Sequence, residues 1–345
     1  MATTSPTTPM REKPRSAAYA MLKRAAKVFV VIVMVADIVM GVVFYRHPVW
    51  MISQVMDARL RLAGFHSEYV RVGSYRVHYF VGGKGTPLLL IHGLGARSED
   101  WTPEMPAYAK NGFRVYAIDL LGCGRTDRPN IAYTIGQQVE LIDGFLTAVH
   151  VEKTDVVGWS MGGWVALEFA LQHPQRVNRL VAMDSAGFKF ETELTPDILE
   201  PNTVRQLERL EMVLMAHKYY IPGFVQRDLL RTMERNRAVV HRTLESLLRE
   251  EGDFAGRLGQ LQIPVLLVWG QQDELIPPVV GNQMHDAIPQ SVLEQYARCG
   301  HMGPATCADR MVPRVMDFLR SQPPMAAGSF TTDPPRRGYL DLPVH

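Results

Sequence analysis

Cysteine is scarce in this 345-residue chain, which holds only Cys123, Cys299 and Cys307. Three is an odd number and the spacings match no metal site. Neither a disulfide framework nor a zinc module is therefore expected. Buried free thiols are the default, with Cys299 and Cys307 the one pairing left open. An excess of one charge is lacking too, since 37 Lys and Arg face 35 Asp and Glu. No basic patch interleaves with aromatic residues, so binding to nucleic acid has no support. The chain has neither a Gly-x-Gly-x-x-Gly pattern nor a Walker Lys-Ser/Thr. The Gly-rich stretch at residues 119–126 (DLLGCGRT) is therefore not read as a phosphate cradle. There is no internal repeat, and no cofactor or metal is expected.

One long hydrophobic run is present. Residues 28–45 are apolar except for Asp37, and twelve of the eighteen are Val, Ile or Phe. At 1.5 Å per residue the run is about 27 Å long, close to a bilayer core. Its Val, Ile and Phe side chains favour insertion by roughly 4 to 7 kcal/mol, more than the roughly 3 kcal/mol that Asp37 costs. A transmembrane anchor is expected. A cleaved signal peptide and a buried core helix are the competing readings. Six basic residues (Arg11, Lys13, Arg15, Lys23, Arg24, Lys27) precede the run, against one acid, Glu12; Arg46, Arg59 and Arg61 follow it. That bias places the N-terminus in the cytoplasm and the rest of the chain on the opposite side. In residues 48–63, Ile52, Val55, Met56, Leu60 and Ala63 fall near one helical face. Both an interfacial helix and an ordinary docking helix fit that pattern.

From residue 66 the pattern is α/β. Strands are expected at 67–72, 75–81, 87–92, 113–118, 154–159, 178–184, 264–269 and 291–297. Helices are expected at 99–110, 134–149, 161–173, 275–287 and 308–320. An early hairpin followed by alternation implies a mostly parallel, doubly wound sheet. Between 188 and 260 the alternation stops and helices are expected at 202–217, 223–235 and 237–250, as a lid over the carboxyl ends of the strands. The expected organisation is a basic polar segment (1–27), an anchor (28–45), an amphipathic linker (46–65), a core in two parts (66–187 and 261–320), the helical lid (188–260) and a disordered Pro-rich tail (321–345).

Residues 158–162 read Gly-Trp-Ser-Met-Gly, after a short β-branched run and before a helical pattern. Strand, sharp turn and helix form the setting of a nucleophile elbow, which exposes the Ser160 hydroxyl. Gly158 and Gly162 suit the close crossing of strand and helix. A serine needs a base to accept its proton, and the base needs an acid to orient it. In a parallel sheet both should sit at carboxyl ends of strands. His301, after the last expected strand, and Asp273, after the run 265–268, both qualify. Asp184 is a rival for the acid, with a loop cap as its plainer role. The oxyanion donors are expected to be the backbone N–H groups of Leu94 and Met161. His92 is expected to brace the loop at 92–95 rather than to act as a base.

With these residues assembled, the chain resembles the serine α/β-hydrolases over residues 66–320. The marks are HGLG at 92–95, DLLGCGRTDRP at 119–129, GWSMGG at 158–163, WGQQD at 269–273 and Gly300-His301. A basic-flanked span followed by YVRVGSYRVHYFVG at 69–82 and GWSMGG is also similar to membrane-anchored monoacylglycerol lipases. Haloalkane dehalogenases and soluble epoxide hydrolases carry aspartate at the nucleophile position, and Ser160 argues against both. The expectation is therefore a membrane-tethered esterase or lipase that cleaves carboxylic esters through an acyl-enzyme. Its expected partners are a small ester or lipid and the membrane. Resemblance to carbon–carbon bond hydrolases of dienoic diketo-acids, which use the same Ser-His-Asp set, gives the alternative. A non-catalytic binding protein is a third reading.

Overall fold

The computed structural model describes residues 15–217, 219–250 and 254–332. Arg11, Glu12 and Lys13, and most of the Pro-rich tail, lie outside the described residues. The chain opens with helix α1 (Arg15–Arg46) and helix α2 (Pro48–Leu62), joined through His47. Within α1, residues 19–46 are long and apolar enough to cross a membrane, and none of their most apolar stretch is buried in the protein. The helix starts well before residue 28, because the basic flank is itself rich in helix formers such as Ala, Met, Leu and Lys.

Nine strands follow among the described residues: β1 (His66–Val72), β2 (Tyr75–Gly83), β3 (Thr86–Ile91), β4 (Phe113–Ile118), β5 (Thr154–Trp159), β6 (Val177–Met183), β7 (Val265–Gly270), β8 (Val292–Tyr296) and β9 (Gly328–Thr332). They form one sheet in the order β1-β2-β4-β3-β5-β6-β7-β8-β9. The β1–β2 and β2–β4 pairs are antiparallel and all the others are parallel. The central strands are buried on both faces, which is why they read as continuous apolar runs. Alternate residues then serve opposite layers. Leu89 and Ile91 join one core with α4 (Ile135–Ala148), α5 (Met161–Gln172) and α8 (Pro278–Ala287), while Leu88 and Leu90 join the other. That second layer holds α2, α3 (Met105–Lys110) and α10 (Ala308–Arg320). Between β6 and β7 lie α6 (Val204–Leu214) and α7 (Gly223–Glu250). The short α9 (Gly303–Thr306) precedes α10.

Three expectations need correction. Residues 223–250 form one helix, because no Pro or Gly interrupts them after Gly223. The tail is not wholly irregular: β9 pairs with β8, and its Ser-Phe-Thr-Thr run is strand-forming despite the flanking prolines. Cys299 and Cys307 form a disulfide, leaving Cys123 free. The structure also settles which face of α2 turns inward, a point the sequence left open. Ser53, Asp57 and Leu60 are buried, whereas Ile52 and Val55 are exposed, because Asp57 pairs with Arg125 of the protein body.

Glu104 sits immediately before α3 and is fully buried. The Tyr108 hydroxyl donates to its Oε2 at 2.8 Å, and Oε1 has no partner among the described residues. Burial pushes this carboxyl up to about 8, against the opposing pull of the Tyr108 hydrogen bond. In the unfolded chain the same group has its ordinary value of 4.5. Between the two, the folded state holds a proton that the unfolded state lacks. Its contribution is complete below the unfolded value and is lost as pH rises through the folded one. Asp155, raised to about 7 by burial, acts with the same sign. Glu104→Gln should therefore make the thermal midpoint of the detergent-solubilised protein fall less steeply from about pH 5 to about pH 8. An unchanged slope would count against this assignment.

Candidate active site

The site begins with a steric constraint at the junction of β5 and α5. A Cβ on Gly158 would lie 2.2 Å from the Gly162 carbonyl oxygen. A Cβ on Gly162 would lie 2.2 Å from the Ile91 carbonyl oxygen, and one on Gly163 would lie 2.6 Å from the Ser185 hydroxyl. Strand, helix and β3 cross too closely for any side chain there. The turn between them holds Ser160 at φ 58°, ψ −123°, a conformation that non-glycine residues rarely adopt.

His301 comes from the loop after β8, and its Nε2 lies 3.0 Å from the Ser160 Oγ. On the other side of the ring, Nδ1 lies 2.8 Å from the Asp273 Oδ2. The remaining Asp273 oxygen, Oδ1, accepts from the N–H groups of Leu275 and Ile276, both at 2.9 Å. With Asp273 accepting, the Nδ1–H donates to it and Nε2 is left to accept the Ser160 hydroxyl proton. All three side chains are buried, and the structure brings together the three residues singled out in the sequence.

Asp184 sits beside this set rather than in it. Its Oδ1 accepts from the Gly270 N–H at 2.8 Å, which supports the turn leading to Asp273. Burial, followed by the nearby charge of Asp273, raises its carboxyl well above the usual range. That shift favours the uncharged form of Asp184.

His92 accepts from the Leu120 N–H through Nε2 at 3.0 Å, so its Nδ1 carries the proton and donates to the Gly93 carbonyl at 2.8 Å. Burial holds its pKa below the ordinary value, in keeping with a neutral ring. That ring ties the 92–95 loop to the end of β4. Neither the Leu94 nor the Met161 amide donates to another described residue. The loop is held further along as well. The Ser98 N–H donates to Asp119 at 2.7 Å, and Arg97 pairs with Glu99 at 2.7 Å. Arg125 joins Glu99 to Asp57 of α2. Asp119 also accepts from His78 and from the Arg125 N–H. Burial alone would raise the Asp119 carboxyl, but the His78 hydrogen bond leads the effects that lower it to about 2.

Two contributors escaped the sequence reading. Trp159, the variable residue of the elbow, donates its indole N–H to the His301 carbonyl at 2.8 Å and so fixes the loop that carries the imidazole. Val239 and Val240 of α7 approach Gly122 and Gly95, bringing the helical insertion over the site loops. The first could be suspected from a bulky residue next to the nucleophile. The second has no motif to mark it.

A family model described as the alpha/beta hydrolase fold matches residues 86–251 and 249–306. The chain belongs to this family. Among its relatives is the 2-hydroxy-6-oxononadienedioate/2-hydroxy-6-oxononatrienedioate hydrolase of Paraburkholderia phymatum. It is 30% identical over 279 residues, covering 73% of this chain and 95% of the relative. The 2-hydroxy-6-oxo-6-(2'-aminophenyl)hexa-2,4-dienoic acid hydrolase of Metapseudomonas resinovorans is also 30% identical, covering 74% of this chain and 92% of the relative. Among solved structures, a membrane phospholipase A described as a bacterial virulence factor superposes with a TM-score of 0.73 at 24% identity. The match covers 85% of this chain and 98% of that one, and at this identity the likeness is one of fold. These relatives overturn the expectation of an ester hydrolase. The α/β-hydrolase is similar in sequence to enzymes named for hydroxy-oxo-dienoates, and the lipase-like match is structural only.

Asp273→Asn should lower turnover by about 10³-fold or more, because Asn presents the wrong partner to Nδ1. Asp184→Asn keeps the shape and the Oδ1 acceptor for the Gly270 N–H and should stay within about tenfold of wild type. Purified variants assayed side by side would check this, and equal losses would move the acid role. Gly162→Ala should abolish accumulation of folded protein, since the added methyl meets backbone rather than a movable side chain. Normal yield and melting of that variant would refute the steric account.

Proposed function

We propose that this hydrolase cleaves a carbon–carbon bond in a 2-hydroxy-6-oxo-dienoate type of substrate, with Ser160 as nucleophile, His301 as base and Asp273 as the acid that orients it. Kinship to the dienoate hydrolases carries the reading, and the Ser160–His301–Asp273 geometry supports it. The substrate's enol first takes the keto form, moving its proton from the C2 oxygen to C5. Ser160 then gives its proton to His301 and adds to the C6 carbonyl. The Leu94 and Met161 amides hold the resulting oxyanion. When the carbonyl re-forms, the C5–C6 bond breaks and its electron pair passes through the conjugated chain to the C2 oxygen. The leaving group is thus an enolate rather than a bare carbanion, and His301 returns the proton to it. Water, activated by His301, adds to the acyl group and releases it from Ser160 as a carboxylic acid.

Mixing the full-length protein in detergent with 2-hydroxy-6-oxo-6-phenylhexa-2,4-dienoate should bleach the dienoate absorbance and release benzoate. Ser160→Ala should slow this by about 10⁴-fold. A dienoate left intact while p-nitrophenyl esters are turned over would overturn the proposal.

The span at 19–46 anchors the enzyme, with its basic flank in the cytoplasm and the catalytic domain across the membrane. The Cys299–Cys307 disulfide favours the same side, since such bonds persist in oxidising compartments. Protease added to spheroplasts should digest the catalytic domain without lysis. Protection until lysis would reverse the orientation.

A further inference from the structure

Helix α2 is built inside out. In a helix that packs on a water-soluble body, the apolar stripe faces the core and the polar residues face solvent. Here the row turned toward the body includes Ser53 and Asp57, both buried. The row turned away holds Val55, Ala58 and Leu62, spaced by three or four residues, with the half-buried Met51 at its start; Val55 is 48% exposed and Leu62 is 90% exposed. Rotation that would hide this stripe is blocked. Arg125 Nη2 grips both Asp57 oxygens at 2.9 and 2.7 Å, and the Val49 N–H donates to the buried Asp228 of α7 at 3.0 Å.

We propose that the outward stripe of α2 lies in the lipid headgroup and upper acyl region, so that the catalytic domain rests on the bilayer surface through this helix. The inference rests on α1 crossing the membrane. Continuity argues for lipid as the occupant. Only His47 separates α2 from the apolar helix α1, whose most apolar stretch is not buried in the protein. The end of α1 is also held against the body, with the Phe44 and Tyr45 rings 5.5 and 5.2 Å from that of Phe224. Just before Phe224, Tyr219 and Tyr220 are 51% and 89% exposed. Exposed aromatic residues at the level where a span ends are the usual mark of a membrane interface. A second copy of the chain fits the stripe less well. A fifteen-residue helix is about 22 Å long, so a stripe about 10 Å wide offers roughly 220 Å², far below the roughly 800 Å² per partner of a stable interface.

The test uses the full chain with Cys123→Ser in vesicles of phosphatidylethanolamine and phosphatidylglycerol. Single nitroxide labels are placed at Val55→Cys and Leu62→Cys, with Ile38→Cys in α1 and Glu152→Cys on a remote loop as references. Labelling of Ser160 by a fluorophosphonate confirms that each variant is folded. Labels at 55 and 62 should collide more often with oxygen than with a water-soluble nickel chelate, as at 38, and the label at 152 should show the reverse. If 55 and 62 favour the nickel chelate while 38 favours oxygen, the proposal fails and the anchor stands. If 38 also favours nickel, the anchor itself fails. Dipolar broadening at 55 or 62 that disappears on dilution with unlabelled protein would put a second copy on the stripe and overturn the lipid assignment.

Discussion

Three backbone segments meet where β5 passes into α5, and they leave no space for a side chain at positions 158 and 162. Much of the site depends on that contact. It requires glycine on both sides of Ser160 and drives the serine to positive φ. It also presses the first turn of α5 against the end of β3, which sets the Met161 amide near the 92–95 loop. His301 and Asp273 then reach the serine from loops after neighbouring parallel strands. The hydrogen-bond chain from Asp273 to Ser160 is therefore a product of sheet order, since β7 and β8 lie on the β6 side of β5.

Buried charge organises the opposite flank. Asp119 is held low by His78 and shares its oxygens among His78, Ser98 and Arg125. Close to the triad, the protein handles a second carboxyl differently. Burial and the neighbouring Asp273 raise the Asp184 carboxyl well above the usual range, which favours its uncharged form. One carboxyl is stabilised by donors and the other is shifted toward its uncharged form. Both avoid leaving an unpaired charge in a low-dielectric interior.

The parallel core and the elbow were legible because each leaves a periodic or steric trace in the residues: apolar runs for doubly covered strands, and paired glycines for a close crossing. The positions of Ser160, Asp273 and His301 followed from strand ends and chain order, and the three do lie in hydrogen-bond contact. What escaped has physical reasons. The Cys299–Cys307 pairing depends on distances between loops that three cysteines cannot encode. Strand β9 hides among prolines that flank it without entering it. The inward face of α2 was left open, because apolar spacing cannot show that Asp57 is drawn in by Arg125. The chemistry was misread for a related reason. The triad and the anchor say nothing about which bond is broken, and residues 188–260 carry no motif that does.

Helix α7 is about 42 Å long at 1.5 Å per residue. One end is clasped to the last turn of α1 through Phe224, and Arg231 donates to the Arg46 carbonyl at 2.8 Å. Farther along, Val239 and Val240 lie over Gly122 and Gly95. A rigid rod fixed in this way acts as a gauge between bilayer and catalytic centre. Under the anchoring proposed above, a bilayer that tilts α1 would act on the ceiling of the site through a single helix, and the composition of the surrounding lipid would become a physical variable of the enzyme's own geometry.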